Sequence, residues 1–266
     1  SLAFNVAFYA NLIVQMIVFT PYYFLVSRRR AWFVPKFWSR SSMRLQEWIV
    51  GSRFEITGQE NLPQGSFILA PKHQSFWDTI AFFPYLRDPL YILKRELTWI
   101  PFFGWYIMKM RMIPVDRGSR SKALRMVVAA TRKEMARNPR QLIIYPEGTR
   151  RAPGAEPSYK WGIVELYNEL GVPVVPVAHQ AGLFWPRRRF LRYPGTIKAQ
   201  FLPPIPPGLP KEEFMARLIS ETETACDAIL VEAANQPNPP AMPASAVKRL
   251  GELGVPWKGR AVDPAA

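Results

Sequence analysis

A hydrophobic run that ends in a polar turn organises this chain, and it reads FILA over residues 67–70 and PKHQSFWD over residues 71–78. The run predicts a buried strand, and the residues after it predict a short turn and the start of a helix. His73 falls in the turn, and Asp78 follows five residues later. A carboxylate that folds back onto one nitrogen of an imidazole fixes its tautomer and leaves the other nitrogen free as a base.

A histidine followed by an acid at this spacing also occurs where the pair only caps a helix or fills a core. A second stretch favours the catalytic interpretation, because LIIYPEGTR over residues 142–150 again places a polar turn after a β-rich run. In that turn Gly148 lets the backbone approach a ligand, and Thr149 offers a hydroxyl. Arg150 offers the guanidinium geometry that binds phosphate.

These two turns and two further blocks resemble the glycerolipid acyltransferases of the lysophosphatidate acyltransferase type. The four blocks are HQSFWD at 73–78, PFFGW at 101–105 followed by MIPVDR at 112–117, EGTR at 147–150 and VPVVPV at 172–177. They come in the order of the family and cover roughly residues 50–205. The chain departs from the family at Lys72, where Asn is frequent, at Pro114-Val115, and at Arg151, where Ser is frequent.

The resemblance implies a 1-acylglycerol-3-phosphate O-acyltransferase of phospholipid biosynthesis. Such an enzyme moves a fatty acyl group from acyl-CoA or acyl carrier protein to the free sn-2 hydroxyl of 1-acylglycerol-3-phosphate, giving phosphatidate. His73 would be the general base and Asp78 its orienting acid, with no covalent intermediate and no serine nucleophile elbow. The acceptor-binding positions that the family implies are Arg117, Glu147, Gly148, Thr149 and Arg150. Lys94 and Lys160 are weaker candidates, since either can equally be a surface lysine.

Composition restricts the possible partners. Lys and Arg number 35 against 20 Asp and Glu, a net charge of +15, which favours nucleic acid, anionic lipid or a phosphorylated substrate. The single Cys226 excludes an intrachain disulfide, and no zinc spacing, phosphate-binding loop or dinucleotide fingerprint is present. We therefore predict a lysophospholipid acceptor, an acyl thioester donor as co-substrate and anionic membrane lipid as partners. We predict no cofactor, no metal and no nucleic acid.

The N-terminal residues predict a membrane anchor. Residues 2–26 carry no charged side chain, and as a helix they would measure about 37 Å, enough to cross a bilayer. Asn5, Asn11, Gln15 and Pro21 weaken a simple spanning helix. The basic residues 28–30 and the Trp- and Arg-containing residues 31–50 suit the headgroup layer. We predict a helical hairpin in one leaflet at the cytoplasmic face of the inner membrane, with a spanning helix or a buried core hairpin as alternatives.

The rest of the chain predicts an α/β fold with a mostly parallel central sheet flanked by helices. Strand candidates lie at 67–70, 90–93, 112–115, 141–145, 173–177 and 196–202, and helices at 121–137, 161–170 and 211–232. Ligands bind beyond the carboxyl ends of such strands, where His73, Arg117 and Glu147 all fall. The predicted domains are the anchor at 1–50, the acyltransferase domain at 51–235 and a loosely held Pro/Ala-rich tail at 236–266.

Several features leave alternatives open. His179 has no acid close by in sequence, so it is interpreted as structural. The basic and aromatic residues 184–192 suit an anionic membrane, the phosphates of coenzyme A, nucleic acid or a plain solvated loop. An acyl chain needs an apolar trough, for which the candidates are Trp99, Phe102, Phe103, Trp105 and Tyr106. Backbone amides of the 73–78 turn or near Gly148 are candidate oxyanion donors. The alternative functions are acylation of a lyso-aminolipid or glycerol-3-phosphate, and lipid binding without catalysis.

Overall fold

A seven-stranded sheet forms the centre of the protein in a computed structural model that describes residues 1–116, 120–257, 259 and 261–262. Its strands in chain order are β1 (Ser52–Thr57), β2 (Phe67–Pro71), β3 (Pro89–Lys94), β4 (Ile113–Val115), β5 (Gln141–Ile143), β6 (Val174–His179) and β7 (Gly195–Phe201). In space the order is β1-β7-β6-β2-β5-β3-β4. Every neighbouring pair is parallel except β6 and β7, which confirms the mostly parallel sheet.

Helices cover both faces of this sheet and precede it in the chain. They are α1 (Leu2–Leu25), α2 (Arg28–Ala31), α3 (Phe33–Val50), α4 (Trp77–Ile80), α5 (Phe103–Lys109), α6 (Arg120–Arg137), α7 (Gly162–Leu170), α8 (Lys211–Ala234) and α9 (Ala244–Glu252). Short 3₁₀ segments lie at Gln59–Asn61, Phe83–Tyr85, Arg95–Trp99 and Ala181–Leu183. A two-stranded pair joins β8 (Met242–Pro243) to β9 (Ala261–Val262).

The alternation of side chains along β2 explains why this strand sits in the middle of the sheet. Phe67 and Leu69 belong to one hydrophobic cluster, and Ile68 and Ala70 belong to another. Successive side chains of a strand point to opposite faces, so β2 contributes to two cores at once. A strand buried on both faces reads as an uninterrupted apolar run, as the sequence does here.

Helices α1 and α3 form the predicted N-terminal hairpin. Two of the polar residues that weaken a spanning helix face the partner helix: Asn11 Nδ2 donates to Ser41 Oγ at 2.9 Å, and Gln15 Nε2 donates to the same hydroxyl at 2.9 Å. Helix α1 is the single helix, within the described part of the chain, long and apolar enough to cross a membrane. Only 17% of its most apolar window is buried. The alternative of a buried core hairpin is therefore wrong, although Phe4 and Phe8 do join the core.

The C-terminal segment differs from its prediction as a loosely held tail. Met242, Ala246 and Leu250 are fully buried and belong to the same core cluster as β2 and α1. Ser245 Oγ donates a hydrogen bond to the carbonyl oxygen of Pro153 at 2.8 Å. The high proline and alanine content predicts disorder, but Met242 of β8 and two apolar side chains on one face of α9, Ala246 and Leu250, fasten this segment to the domain.

Candidate active site

His73 lies in the turn between β2 and α4, and Asp78, its predicted orienting acid, lies in the first turn of α4. Asp78 folds back so that its Oδ1 lies 2.8 Å from His73 Nδ1. Its Oδ2 accepts the backbone N–H groups of Gln74 at 2.8 Å and Ser75 at 2.7 Å, and the carboxylate is completely buried. An ionised carboxylate only accepts hydrogen bonds, so His73 carries its proton on Nδ1. Its Nε2 is left with a lone pair.

An aromatic ring supports the imidazole. The ring of Tyr145 stacks on His73 with centroids 3.9 Å apart and an interplanar angle of 24°. The hydroxyl of Tyr145 donates to the carbonyl oxygen of Asp78 at 3.2 Å. Burial raises the pKa of Tyr145 well above its ordinary value, so this hydroxyl remains a neutral donor. The orientation of the imidazole is thus fixed by contacts at its edge and on its face.

The second histidine lies directly behind this pair. His179 Nε2 donates to the carbonyl oxygen of Lys72 at 2.8 Å, and its Nδ1 accepts the N–H of Ala181 at 3.2 Å. Burial lowers the pKa of His179 and outweighs the carboxylate of Asp78, whose Oδ2 lies 3.7 Å from Nε2. A neutral, fully bonded imidazole fits the structural role expected from sequence. No acid is close to His179 in the sequence, but Asp78 is close in space, because β6, which ends at His179, pairs with β2.

The EGTR turn follows β5, the strand on the other side of β2. Gly148 has a φ of +66° and donates its N–H to the carbonyl oxygen of Tyr145 at 2.9 Å, which closes the turn. The N–H of Arg151 donates to the carbonyl oxygen of His73 at 2.7 Å. This bond joins the two motif turns directly.

The residues of the EGTR turn point in different directions. Glu147 is buried and faces inward, where its Oε1 accepts from Lys72 Nζ at 3.0 Å. Gly148 and Thr149 are exposed. The guanidinium of Arg150 lies 5.8 Å from the ring centroid of Phe76, over a residue of the His73 turn.

The remaining predicted site residues have less defined places. Lys160 is exposed, donates its N–H to the carbonyl oxygen of Pro146 at 2.8 Å, and therefore lies beside the EGTR turn. Lys94 is exposed at the end of β3, next to β4 in the sheet. Arg117 lies outside the described residues. The backbone amides proposed for an oxyanion are already used in three cases: Gln74 and Ser75 donate to Asp78, and Gly148 donates to Tyr145.

An apolar cavity of about 660 Å³ lies between the N-terminal hairpin and the domain. Its lining includes Phe8 and Leu12 of α1, Trp38 of α3, Phe76 of the His73 turn, and Arg150. Arginines 187–189 and 192 of the basic segment also line it, and Arg187 Nη1 donates to the carbonyl oxygen of Arg150 at 2.7 Å. Such a cavity combines a long apolar wall with a group of cations, which suits an amphipathic anion.

Only part of the predicted aromatic trough belongs to this cavity. Phe103 and Tyr106 line it. Trp99, Phe102 and Trp105 instead expose large parts of their rings on the outside of the protein. The sequence identified the aromatic segment. It could not show which of these side chains line the cavity and which lie on the outer surface, because that depends on how α5 packs under the hairpin.

Four residues around the site were not singled out from the sequence. They are Tyr145, Tyr159, Glu223 and, as a site residue, Lys72. Tyr145 and Lys72 are next to the motifs in sequence, so their position could have marked them as candidate site residues. Glu223 lies on α8, 151 positions from Lys72, and nothing in the sequence pattern connects the two.

A mostly parallel α/β sheet with an imidazole and a buried carboxylate beyond its strand ends, beside an apolar cavity, defines an acyl-transferring class of enzyme. Residues 53–180 match the model of the family described as Acyltransferase. The chain is 34% identical over 205 residues to the 1-acyl-sn-glycerol-3-phosphate acyltransferase of Pseudomonas aeruginosa, covering 77% of this chain and 78% of that protein. The chain belongs to this acyltransferase family.

Two further comparisons agree with this assignment. An uncharacterized acyltransferase of Schizosaccharomyces pombe is 32% identical over 192 residues, which cover 69% of this chain and 67% of that protein. The crystal structure of the 1-acyl-sn-glycerophosphate (LPA) acyltransferase PlsC from Thermotoga maritima superimposes with a TM-score of 0.71 at 22% identity. That match covers 86% of this chain and 96% of the other, and it establishes the fold.

Proposed function

We propose that this protein is a membrane-associated 1-acylglycerol-3-phosphate O-acyltransferase that makes phosphatidate. Its donor is a fatty acyl thioester of coenzyme A or acyl carrier protein, and its acceptor is the free sn-2 hydroxyl. The names of the P. aeruginosa relative and of two plant relatives from Limnanthes support this acceptor. The observation that carries the proposal is the 2.8 Å contact between His73 Nδ1 and the buried carboxylate of Asp78.

The proposed reaction needs one base and no covalent enzyme intermediate. His73 Nε2 accepts the proton of the sn-2 hydroxyl as its oxygen attacks the thioester carbonyl carbon. The tetrahedral intermediate then collapses, the C–S bond breaks, and the imidazolium returns its proton to the departing thiolate. Such a positioned base contributes typically about 10²–10⁴-fold to the rate. Asp78 holds the tautomer and stabilises the imidazolium while it exists.

Recognition of the acceptor phosphate is assigned to the EGTR turn and to Arg117. Arg150 lies over Phe76, within the turn that carries His73, so a phosphate bound there is close to the base. Gly148 and Thr149 are exposed and can offer a close backbone approach and a hydroxyl. Lys94 adds positive charge at the end of β3, and Lys160 adds it beside the EGTR turn, just before α7. Glu147, which is buried against Lys72, acts on the shape of the turn rather than on the phosphate.

The cavity beneath the hairpin is proposed to take an acyl chain. Its volume of about 660 Å³ and apolar lining suit a fatty acyl group, and its arginines suit the anionic end of a substrate. The exposed apolar residues of α1, such as Ile13, Ile17 and Val18, would lie in the lipid. We place this hairpin in one leaflet at the cytoplasmic face of the inner membrane, where the exposed Arg29 and Arg30 and residues 187–189 meet anionic lipid. Arg28 is instead paired with Asp88.

Product analysis tests the proposal directly. Purified protein is incubated with a mixture of lysolipids, glycerol-3-phosphate, and acyl-CoA or acyl carrier protein donors, and the products are identified by mass spectrometry. Phosphatidate should dominate, and His73→Ala should abolish its formation while the protein still folds. Preferential acylation of a lyso-aminolipid or of glycerol-3-phosphate would show that the proposed acceptor is wrong. Full turnover by His73→Ala, or no acylation at all by the wild type, would refute the catalytic assignment.

A further inference from the structure

A buried ion network lies directly behind the His73 turn. The ammonium of Lys72, the residue before His73, lies 3.0 Å from Glu147 Oε1 and 2.9 Å from Glu223 Oε1. The hydroxyl of Tyr159 donates to Glu223 Oε1 at 2.8 Å. The Tyr159 ring centroid lies 5.4 Å from the ammonium. One cation thus holds two carboxylates, and an aromatic ring covers it.

The charges in this network depend on one another. Lys72 is only 5% exposed and Glu147 only 1%. Burial alone would lower the pKa of Lys72. The carboxylates of Glu223 and Glu147 together raise it, and the net pKa lies above the ordinary value. The lysine therefore stays charged. Removing the lysine charge would leave Glu147 and Glu223 without the cation between them, which is strongly unfavourable. Removing the Glu223 charge would leave Lys72 paired with Glu147 alone.

The network connects three parts of the molecule. Lys72 belongs to the turn that carries the base, and its carbonyl oxygen accepts the hydrogen bond of His179. Glu147 is the first residue of the EGTR turn. Glu223 lies on α8, beyond residues 53–180 that match the family model. Helix α8 therefore supplies a contact to the candidate active site from outside the residues that match the family model.

Lys72 also sets the orientation of Glu147. Within the described part of the chain, Glu147 Oε2 is buried and has no hydrogen-bond partner. The close contacts of this carboxylate are at Oε1, with Lys72 at 3.0 Å and the Arg151 Nε at 3.7 Å. A turn that begins at Glu147 and ends at Arg150 is thus fastened at its first residue mainly by the lysine next to His73.

We propose that Lys72, fixed by Glu223, is a positioning residue that sets the EGTR turn relative to His73. The consequence is that Arg150 meets the acceptor phosphate while the hydroxyl lies at the base. This inference rests on the proposed function, because it assigns the network to acceptor binding. A displacement of about 1 Å between such groups is enough to reduce a rate by about 10²-fold.

Kinetics of three variants test the proposal. Glu223→Gln removes one charge from α8 and should raise the KM for lysophosphatidate about tenfold while kcat at saturation falls less than about threefold. Lys72→Met should lower kcat/KM by about 10²-fold. The matched control is Glu232→Gln, which makes the same change on the same helix, where Glu232 pairs with Lys198 at the surface. The control should leave both constants unchanged.

Hydrogen exchange gives a readout that does not depend on turnover. Amides 147–151 should exchange faster in Glu223→Gln than in the wild type, and at the wild-type rate in Glu232→Gln. Absence of any acylation by the wild type would refute the proposed function, and the exchange measurement would still report on the network. The inference would be overturned if Glu223→Gln had the KM and the exchange rates of the wild type. It would also be overturned if only kcat fell, in proportion to the fraction of the variant that is folded. Should Lys72→Met fail to fold, Glu223→Gln decides.

Discussion

Buried ion networks occupy both ends of the same sheet, and they differ in what they leave unused. At the amino ends, Asp88 precedes β3 and Arg140 precedes β5, and these two residues meet at 3.3 Å. At the carboxyl ends, Lys72 follows β2 and meets Glu147, which follows β5. One network connects the hairpin to the domain. The other lies against the candidate base.

The amino-end network is close to saturated with hydrogen bonds. Asp88 accepts from both terminal nitrogens of Arg28, at 2.5 and 2.6 Å, and from Trp32 Nε1 at 2.9 Å. Arg140 Nη1 donates to Glu134 Oε2 at 3.0 Å and to the carbonyl oxygen of Arg111, and Nη2 donates to the carbonyl oxygens of residues 89 and 110. The charged residues of this network do not line the cavity described above, although Trp32 and Met110 do. This end of the sheet is therefore organised for stability.

The carboxyl-end network has a hydrogen-bond acceptor that is not paired within the described part of the chain. Glu147 Oε2 has no partner among the described residues, and Asp78 contacts the His73 ring at Nδ1, which leaves Nε2 for a substrate. Unsatisfied buried polar atoms cost stability, and among the described residues the amino end also has one, the donor Arg140 Nε. What distinguishes the carboxyl end is that its unpaired acceptor belongs to the turn that is bonded to the His73 turn and carries Arg150. The comparison predicts that changes at the carboxyl end reduce turnover and that changes at the amino end reduce stability.

The largest effect on turnover short of removing His73 is expected for Asp78→Asn. An amide can donate to His73 Nδ1 and so move the ring proton to Nε2, where it blocks the base. We expect kcat to fall by about 10²–10⁴-fold. Steady-state kinetics measure this loss, and urea denaturation checks that the variant folds. A kcat within threefold of the wild type would remove Asp78 from the mechanism and weaken the distinction between the two ends.

The amino end is tested by Arg140→Met, which preserves an apolar stem but removes a buried cation. Asp88 keeps Arg28 and Glu134 keeps Arg137, but Glu134 Oε2 and the carbonyl oxygens of residues 89, 110 and 111 lose their donor. Breaking such a network from one side costs about 3–5 kcal/mol, and we expect the free energy of unfolding to fall by that amount. The kcat of the folded fraction should stay near the wild-type value. Both quantities are measured by urea denaturation and by kinetics at low temperature.

A surface pair provides the control for Arg140→Met. Arg132 pairs with Glu169 at 3.1 Å, with 59% and 46% of their side chains exposed. Arg132→Met should therefore cost only about 0–1 kcal/mol. If Arg140→Met reduces kcat more than it reduces stability, the amino-end network also serves the active site, and the two ends are not separate in function.

The sequence predicted the parts of this arrangement that follow from local pattern. The apolar run at 67–70 predicted the central strand, and the turns after β2 and β5 predicted which residues gather at one edge. The contact of Lys72 with Glu223 was not predictable, because a helix at the far end of the chain packs there only in three dimensions. The buried Arg140 was equally invisible, since a charged residue before a strand is ordinarily a surface residue.

The smallest expected effect concerns His179, which joins the carboxyl-end network through Lys72. Burial lowers its pKa in the folded protein, whereas in the unfolded chain it titrates near the ordinary value of 6.5. Below that pH the unfolded state binds more protons, so this residue makes stability fall with falling pH by at most about 1.4 kcal/mol per pH unit. His179→Gln keeps an amide donor for Lys72 and removes the titration. The free energy of unfolding should therefore drop less between pH 7.5 and 5 in the variant than in the wild type. Identical pH profiles would mean that His179 contributes no buried titration, and the carboxyl end would then owe its pH response to its carboxylates alone.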